Sequence, residues 1–129
     1  MIARAQLGRI GEAMAARHLE SRGLAVVARN WRPRQRGQWG ELDLVALDGG
    51  VLVVCEVKAR RGTGAGHPLE ALTVEKVARL RRLAGAFVAE AAGRTVEGTP
   101  IEGVRVDAIA VAWPDGGGRA EIEHVEAVG

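Results

Sequence analysis

The spacing of apolar residues predicts two helices and five strands. Residues 6–22 contain no proline and many good helix formers, and Gly23 follows where a helix C-cap is expected. Apolar residues recur at helical spacing in a second segment, which begins at about Leu69 or Thr73 and ends at Ala92. Short β-branched or alternating segments predict strands over Leu24–Arg29, Glu41–Asp48, Val51–Lys58, Val104–Trp113 and Ala120–Val128.

The order of these elements, α-β-β-β-α-β-β, predicts a mixed α/β fold in one domain over residues 1–129. Gly49-Gly50 joins the second and third strands in a tight hairpin. Both hairpin strands are apolar on two faces, which is typical of central strands covered by helices on each side. The third strand, the second helix and the fourth strand form a β-α-β unit, for which we expect a right-handed crossover.

The hairpin register brings acidic residues together at the end away from the turn. If Asp48 pairs with Val51, then Asp43 faces Glu56 and Glu41 faces Lys58, all on one side of the sheet. Opposed β-carbons lie about 4.5–5.5 Å apart, so two carboxylates there repel each other unless a cation lies between them. This arrangement predicts a site for Mg²⁺ or Mn²⁺. The alternative is a Glu41–Lys58 ion pair, with Asp43 and Glu56 directed into solvent.

The composition of the chain indicates the cellular compartment in which the protein is expected. The chain of 129 residues is 47% hydrophobic and 26% charged, which is typical of soluble globular proteins. It has a single cysteine, Cys55, no apolar segment long enough to cross a membrane, and no signal-peptide core at its N-terminus. We therefore expect a cytoplasmic protein without a membrane partner.

Charge is distributed unevenly along the chain, although its net value is only +2. Residues 1–40 hold eight Arg and two Glu, whereas residues 97–129 hold two Arg and seven acidic residues. The predicted loop after the first strand combines basic and aromatic side chains, which suits phosphate contacts and base stacking. These are Arg32, Arg34, Arg36, Trp31 and Trp39, and Arg60 and Arg61 follow the acidic strand. The alternative is a solvated loop with its tryptophans packed on the core, which we favour for Trp31.

Asp43 and the triplet Glu56-Val57-Lys58 resemble the signature of the PD-(D/E)XK nuclease superfamily. More specifically, the chain resembles the bacterial YraN-type family over about residues 6–110, with a layout similar to archaeal Holliday junction resolvases. Further matching segments are Gly8-x-x-Gly11-Glu12, Asn30-Trp31-Arg32, Gly40–Leu44, Pro68–Ala71, Lys76 and Arg105–Asp107. The resemblance implies a restriction-endonuclease-like core and nucleic-acid binding.

The resemblance also implies a role for each residue of the site. Asp43 and Glu56 would ligate Mg²⁺ or Mn²⁺, and Lys58 would orient water or stabilise charge on the phosphate. Glu12, on the first helix, would approach the metal, unless it is an ordinary surface residue. Glu41 would hold the metal ligands in position without contacting the metal, or would pair with Lys58. Lys76 and Asp107 would have a supporting or purely structural role.

Three functions remain open at this stage. The first is a metal-dependent endonuclease acting on DNA, with branched or nicked DNA as a candidate substrate. The second is a nucleic-acid-binding module that has the nuclease-like fold but turns over little or nothing. The third is a scaffold whose acidic C-terminal region docks a partner. The edge strand Ala120–Val128 would allow a homodimer in any of these cases.

Overall fold

The computed structural model describes residues 3–62, 70 and 72–129. Its two α-helices are α1 (Arg4–Ser21) and α2 (Val74–Glu90). Its strands are β1 (Ala25–Trp31), β2 (Leu42–Asp48), β3 (Val51–Arg61), β4 (Thr95–Val96), β5 (Thr99–Pro100), β6 (Gly103–Trp113) and β7 (Glu121–Val125). In the described part of the chain, neither helix is long and apolar enough to cross a membrane.

Five strands form one mixed sheet in the order β1-β2-β3-β6-β7. Strands β3 and β6 pair in parallel, and the other neighbours pair antiparallel. Leu52 and Val54 of β3 belong to the core that contains α2, whereas Val53 and Cys55 belong to the core that contains α1. Since alternate residues of a strand point to opposite faces, the two helices cover opposite sides of the sheet. The predicted fold class and element order are confirmed.

The hairpin between β2 and β3 has the predicted register. Asp48 pairs with Val51, and the antiparallel ladder continues to Leu44 and Cys55. Gly49 has φ 58, the left-handed conformation that a two-residue turn needs and that glycine adopts without strain. One residue beyond the ladder, this register places Asp43 opposite Glu56.

Several element boundaries differ from the predictions. Strand β1 continues to Trp31, and β3 continues to Arg61 through residues that were predicted as the start of a loop. Pairing with β6 up to Trp113 explains the longer β3, because hydrogen bonding to a long neighbour outweighs a weak local strand propensity. Helix α2 starts after Thr73, whose side chain accepts a hydrogen bond from the Lys76 amide. The alternative helix start at Leu69, and the rest of the predicted loop over residues 63–68, lie outside the described residues.

A second, two-stranded sheet formed by β4 and β5 was not predicted. Its turn places Glu97 at φ 48 and Gly98 at φ 77. Two successive residues with positive φ are typical of the tight hairpin turn that usually contains Asn-Gly or Asp-Gly. Glutamate at the first of these positions is uncommon, so the hairpin signal in residues 95–100 is weak.

Candidate active site

The open end of the β2–β3 hairpin brings Asp43 and Glu56 together. The two carboxyl groups lie close enough for a hydrogen bond between them to act on the pKa of Asp43, and the Val57 amide donates to Asp43 Oδ2 over 2.9 Å. Asp43 is half-buried, and the side chain of Glu56 is only 14% exposed. Two acidic groups therefore share one poorly hydrated position at the edge of the core.

The surroundings of Asp43 raise the pKa of its carboxyl to about 8. Burial contributes most, followed by the hydrogen bond with Glu56 and the negative charges of Glu56 and Glu12. The Val57 amide acts in the opposite direction, since it stabilises the carboxylate form. At neutral pH the pair consequently holds a proton, which a cation of higher charge can displace.

Lys76 supplies the positive charge next to this pair. Its Nζ lies 2.8 Å from Glu56 Oε2, an oxygen that is shielded from solvent and accepts no well-directed hydrogen bond from the described residues. The contact is therefore an ion pair, and the Thr73 cap fixes the first turn of α2 from which Lys76 extends. The contact between Lys76 and Glu56 was not predicted, because it depends on how α2 packs on the sheet.

Glu41 lies just before β2 and pairs with Asn30 at the end of β1 and with Arg32 in the loop that follows. Arg32 Nε and Nη2 both lie 2.9 Å from Glu41 Oε2. The Asn30 amide donates to Glu41 Oε1 and to Glu12 Oε1, each over 3.0 Å. These partners replace the alternative Glu41–Lys58 ion pair, which is wrong because the loop, and not the facing strand, supplies the cation.

Asn30 also lies beside the acidic site, and no role was predicted for it. It has φ 49, a left-handed conformation that asparagine tolerates better than most residues. The side-chain amide of Asn30 links α1 to the segment that leads into β2, through Glu12 and Glu41. The only sequence signal was its place in the Asn30-Trp31-Arg32 segment.

Most of the remaining predicted site residues are exposed. Lys58 is exposed two residues after Glu56, on the same side of β3 by strand alternation. Arg34 and Arg36 are exposed in the loop between β1 and β2, Arg60 is half-buried and Arg61 is exposed. Trp31 packs edge-to-face on Phe87 with ring centroids 5.1 Å apart, as the core interpretation predicted.

The donor set suits a hard divalent cation. Asp43 and Glu56 offer carboxylate oxygens, and Mg²⁺ commonly uses one or two protein carboxylates while water and phosphate complete its coordination. Within the described residues, no three His, Cys, Asp or Glu side chains are close enough to form a complete metal site. Glu12 acts on Asp43 by its charge and contacts Asn30, so its position is that of a neighbour of the pair.

Arg105 and Asp107 lie elsewhere in the fold. Asp107 is fully buried and accepts hydrogen bonds from Arg105, from His124 and from the Ala127 amide. All these partners belong to β6, β7 or the C-terminal segment. Of the two roles considered for Asp107, the contacts favour the structural one.

Comparison with known proteins gives one consistent family. The model of the family described as "Uncharacterised protein family UPF0102" matches residues 11–111. A UPF0102 protein of Acidothermus cellulolyticus is 53% identical over 84% of this chain and 83% of its own length. Similar proteins in Streptomyces coelicolor and an Arthrobacter species are 47% and 46% identical. Those alignments cover 99% and 100% of this chain, and 92% and 100% of the relatives. None of these names specifies a ligand or a reaction.

Proposed function

Because this chain belongs to the uncharacterised protein family UPF0102, of the YraN type, we propose its function from the acidic pair itself. The protein hydrolyses phosphodiester bonds in DNA with the help of Mg²⁺ or Mn²⁺. The observation that carries the proposal is the contact between the Asp43 and Glu56 carboxyl groups at the edge of the core. Such a pair is costly for folding alone, because burial removes the hydration of two neighbouring acidic groups and makes one of them keep a proton at neutral pH.

The arrangement of strands supports membership of the PD-(D/E)XK nuclease superfamily. In that superfamily one acidic residue precedes a hairpin, and an acid-any-lysine triplet follows it on the next strand. Here Asp43 lies on β2, and Glu56-Val57-Lys58 lies on β3 beside the parallel strand β6. The sheet order and the helices on both faces are compatible with a restriction-endonuclease-like core.

Each residue has a distinct part in this proposal. A divalent ion held by Asp43 and Glu56 would polarise the scissile phosphate and lower the pKa of a bound water. Lys76 keeps the Glu56 carboxylate oriented through its 2.8 Å contact. Lys58, which extends from the next position on the same side of β3, orients the attacking water or offsets the charge that develops on the phosphate.

Calorimetric titration of the protein with Mg²⁺ and Mn²⁺ tests the site without a choice of substrate. We expect Asp43→Asn to weaken binding at least tenfold, since it removes one of two charged ligands. Asp48→Asn is the matched control, because Asp48 is an exposed carboxylate at the turn of the same hairpin. Equal affinities of the wild type and Asp43→Asn would refute the metal site.

Cleavage of labelled linear, nicked and branched DNA tests the reaction. We expect Glu56→Gln and Lys58→Ala each to lower the Mg²⁺-dependent rate at least a hundredfold, because the first removes a charged metal ligand and the second removes a group that stabilises transition-state charge. Asp48→Asn again serves as the control. Cleavage that persists at the wild-type rate in both variants would remove the catalytic assignment.

The second candidate function is nucleic-acid binding without turnover, which the exposed arginines of the β1–β2 loop favour. It predicts binding that weakens steeply with salt and survives Asp43→Asn. It also predicts no cleavage of any DNA in Mg²⁺ or Mn²⁺. Metal-dependent cleavage by the wild type would exclude it.

A further inference from the structure

Trp39 is a large aromatic residue left almost entirely in solvent. It is 81% exposed, whereas Trp31 and Trp113 are half-buried. Soluble proteins bury most tryptophan surface, and an exposed aromatic ring beside charged groups is typical of a binding surface. The indole of Trp39 is therefore available to a ligand with an apolar face.

The backbone next to Trp39 is anchored to the body of the protein. Gly40 has φ 114, and a β-carbon at this position would lie 3.0 Å from Leu83 Cδ1. Leu83 is a buried residue of α2, so the glycine allows the loop to lie directly against the helix. The indole thus extends from a point with a defined position relative to the core.

A surface cavity of about 340 Å³ lies beside the indole. It is lined by Arg32, Pro33, Gln38, Trp39, Gly40 and Glu41. Its volume is at the lower end of the range for small-molecule pockets, which suits a single nucleobase. Through Glu41 and Asn30 the cavity is connected to Glu12, whose charge acts on Asp43, so it adjoins the acidic site.

Charge favours a ligand that combines an aromatic ring with phosphate. The Arg32 side chain is 75% exposed, although it contacts Glu41 through Nε and Nη2. A guanidinium has five N–H donors, so Arg32 keeps donors available for a phosphate oxygen. Arg34 and Arg36 are exposed on the same loop.

We propose that Trp39 stacks on an unpaired base next to the bond to be cleaved, while Arg32 contacts the adjoining phosphate. The preferred substrate class is accordingly DNA that has a single-stranded segment at the site, and blunt duplex is a poor ligand, because its bases are already stacked. The assignment of a cleaved bond rests on the proposed function. The stacking itself does not, and it is measurable without metal.

Binding in EDTA tests the stacking platform. Anisotropy of labelled single-stranded DNA, of a duplex with an overhang and of a blunt duplex gives three affinities for each variant. We expect Trp39→Ala to weaken binding of the first two by about 5- to 150-fold, the range known for loss of one base–aromatic stack. Trp39→Phe keeps most of the affinity, and the blunt duplex changes by less than twofold.

Intrinsic fluorescence provides the matched control, because the chain has three tryptophans. Single-stranded DNA quenches the wild type and Trp113→Phe, and the quenching is lost in Trp39→Phe. Equal affinity of the wild type and Trp39→Ala for the overhang DNA overturns the proposal. The proposal is also overturned if sedimentation shows self-association that depends on Trp39 while the protein has no preference for unpaired DNA. The indole would then contact a second copy of the chain.

Cleavage assays in Mg²⁺ separate this inference from the proposed function. If overhang DNA binds through Trp39 but nothing is cleaved, the stacking assignment stands and the nuclease proposal fails. If overhang and blunt DNA are bound and cleaved equally well by the wild type, the nuclease proposal stands and the stacking assignment fails.

Discussion

Opposing influences act on the Asp43 carboxyl, and their balance decides the charge of the site. The Val57 N–H favours the ionised form, whereas burial, Glu56 and Glu12 favour the protonated form. The influences that favour the protonated form prevail, and they raise the pKa of Asp43 to about 8 from an ordinary value of 3.8. The folded, metal-free protein therefore retains a proton at pH 7 that the unfolded chain releases.

This difference predicts how stability depends on pH. Between about pH 4 and pH 8 the folded state binds more protons than the unfolded state, so the free energy of unfolding falls as pH rises through this interval. Asp43→Asn removes the titrating group. Between pH 5 and pH 9 the wild type should therefore lose about 2 kcal/mol or more of unfolding free energy beyond what the variant loses, since one pKa unit corresponds to about 1.4 kcal/mol. Urea unfolding in EDTA at constant salt measures both free energies at each pH.

Asp48→Asn is the control for this measurement, because Asp48 is exposed at the other end of the hairpin. This variant keeps Asp43, so its stability should still fall as the pH rises from 5 to 9. Stability curves of Asp43→Asn and the wild type that stay parallel from pH 5 to pH 9 would contradict the raised pKa.

At the scale of elements, the features that depend on neighbouring residues in the sequence were predicted correctly. Gly49-Gly50 fixed the hairpin turn, and the turn fixed the register that places Asp43 opposite Glu56. Contacts between distant elements were not predictable. Lys76 reaches Glu56 only because α2 packs on the sheet, and Asn30 bridges Glu12 and Glu41 only because α1 lies beside the loop. No periodicity or spacing carries that information.

The packing of α1 on the sheet gives an element-scale prediction. A β-carbon on Gly11 would lie 2.7 Å from Ala59 Cβ, so Gly11→Ala must push α1 away from β3. Overpacking of this kind costs about 1–3 kcal/mol, and better helix propensity returns up to about 1 kcal/mol. We expect a net loss of about 1–2 kcal/mol in thermal unfolding.

Gly8→Ala is the matched control on the same helix. Among the described residues, no atom outside the adjoining backbone of α1 lies within 4 Å of a β-carbon there, so only the helix-propensity gain remains and stability should rise by up to about 1 kcal/mol. Equal changes in the two variants would show that α1 does not need its close approach to β3.

At the scale of the whole molecule, one buried polar network connects elements that are distant in sequence. Asp107 accepts hydrogen bonds from Arg105 Nε and Nη2, from His124 Nε2 and from the Ala127 amide, at 2.8–3.1 Å. Arg105 also reaches Asp48 at the hairpin turn, and the other nitrogen of His124 lies 3.1 Å from His18 Nε2 on α1. The network therefore joins α1, the β2–β3 turn, β6 and β7.

Loss of Asp107 should consequently lower stability without damaging the acidic site. Asp107→Ala leaves Arg105 and His124 near the core without their carboxylate, and breaking a buried charge pair of this kind costs about 3–5 kcal/mol in urea unfolding. Asp107→Asn, which keeps the size and some of the hydrogen bonds, should cost less. None of the contacts of Asp107 involves Asp43, Glu56 or Lys76, so the folded fraction of either variant should bind Mg²⁺ within twofold of the wild-type affinity. A variant that stays stable yet loses Mg²⁺ binding would instead place Asp107 in the metal site, because only a ligand or its direct support changes affinity without changing stability.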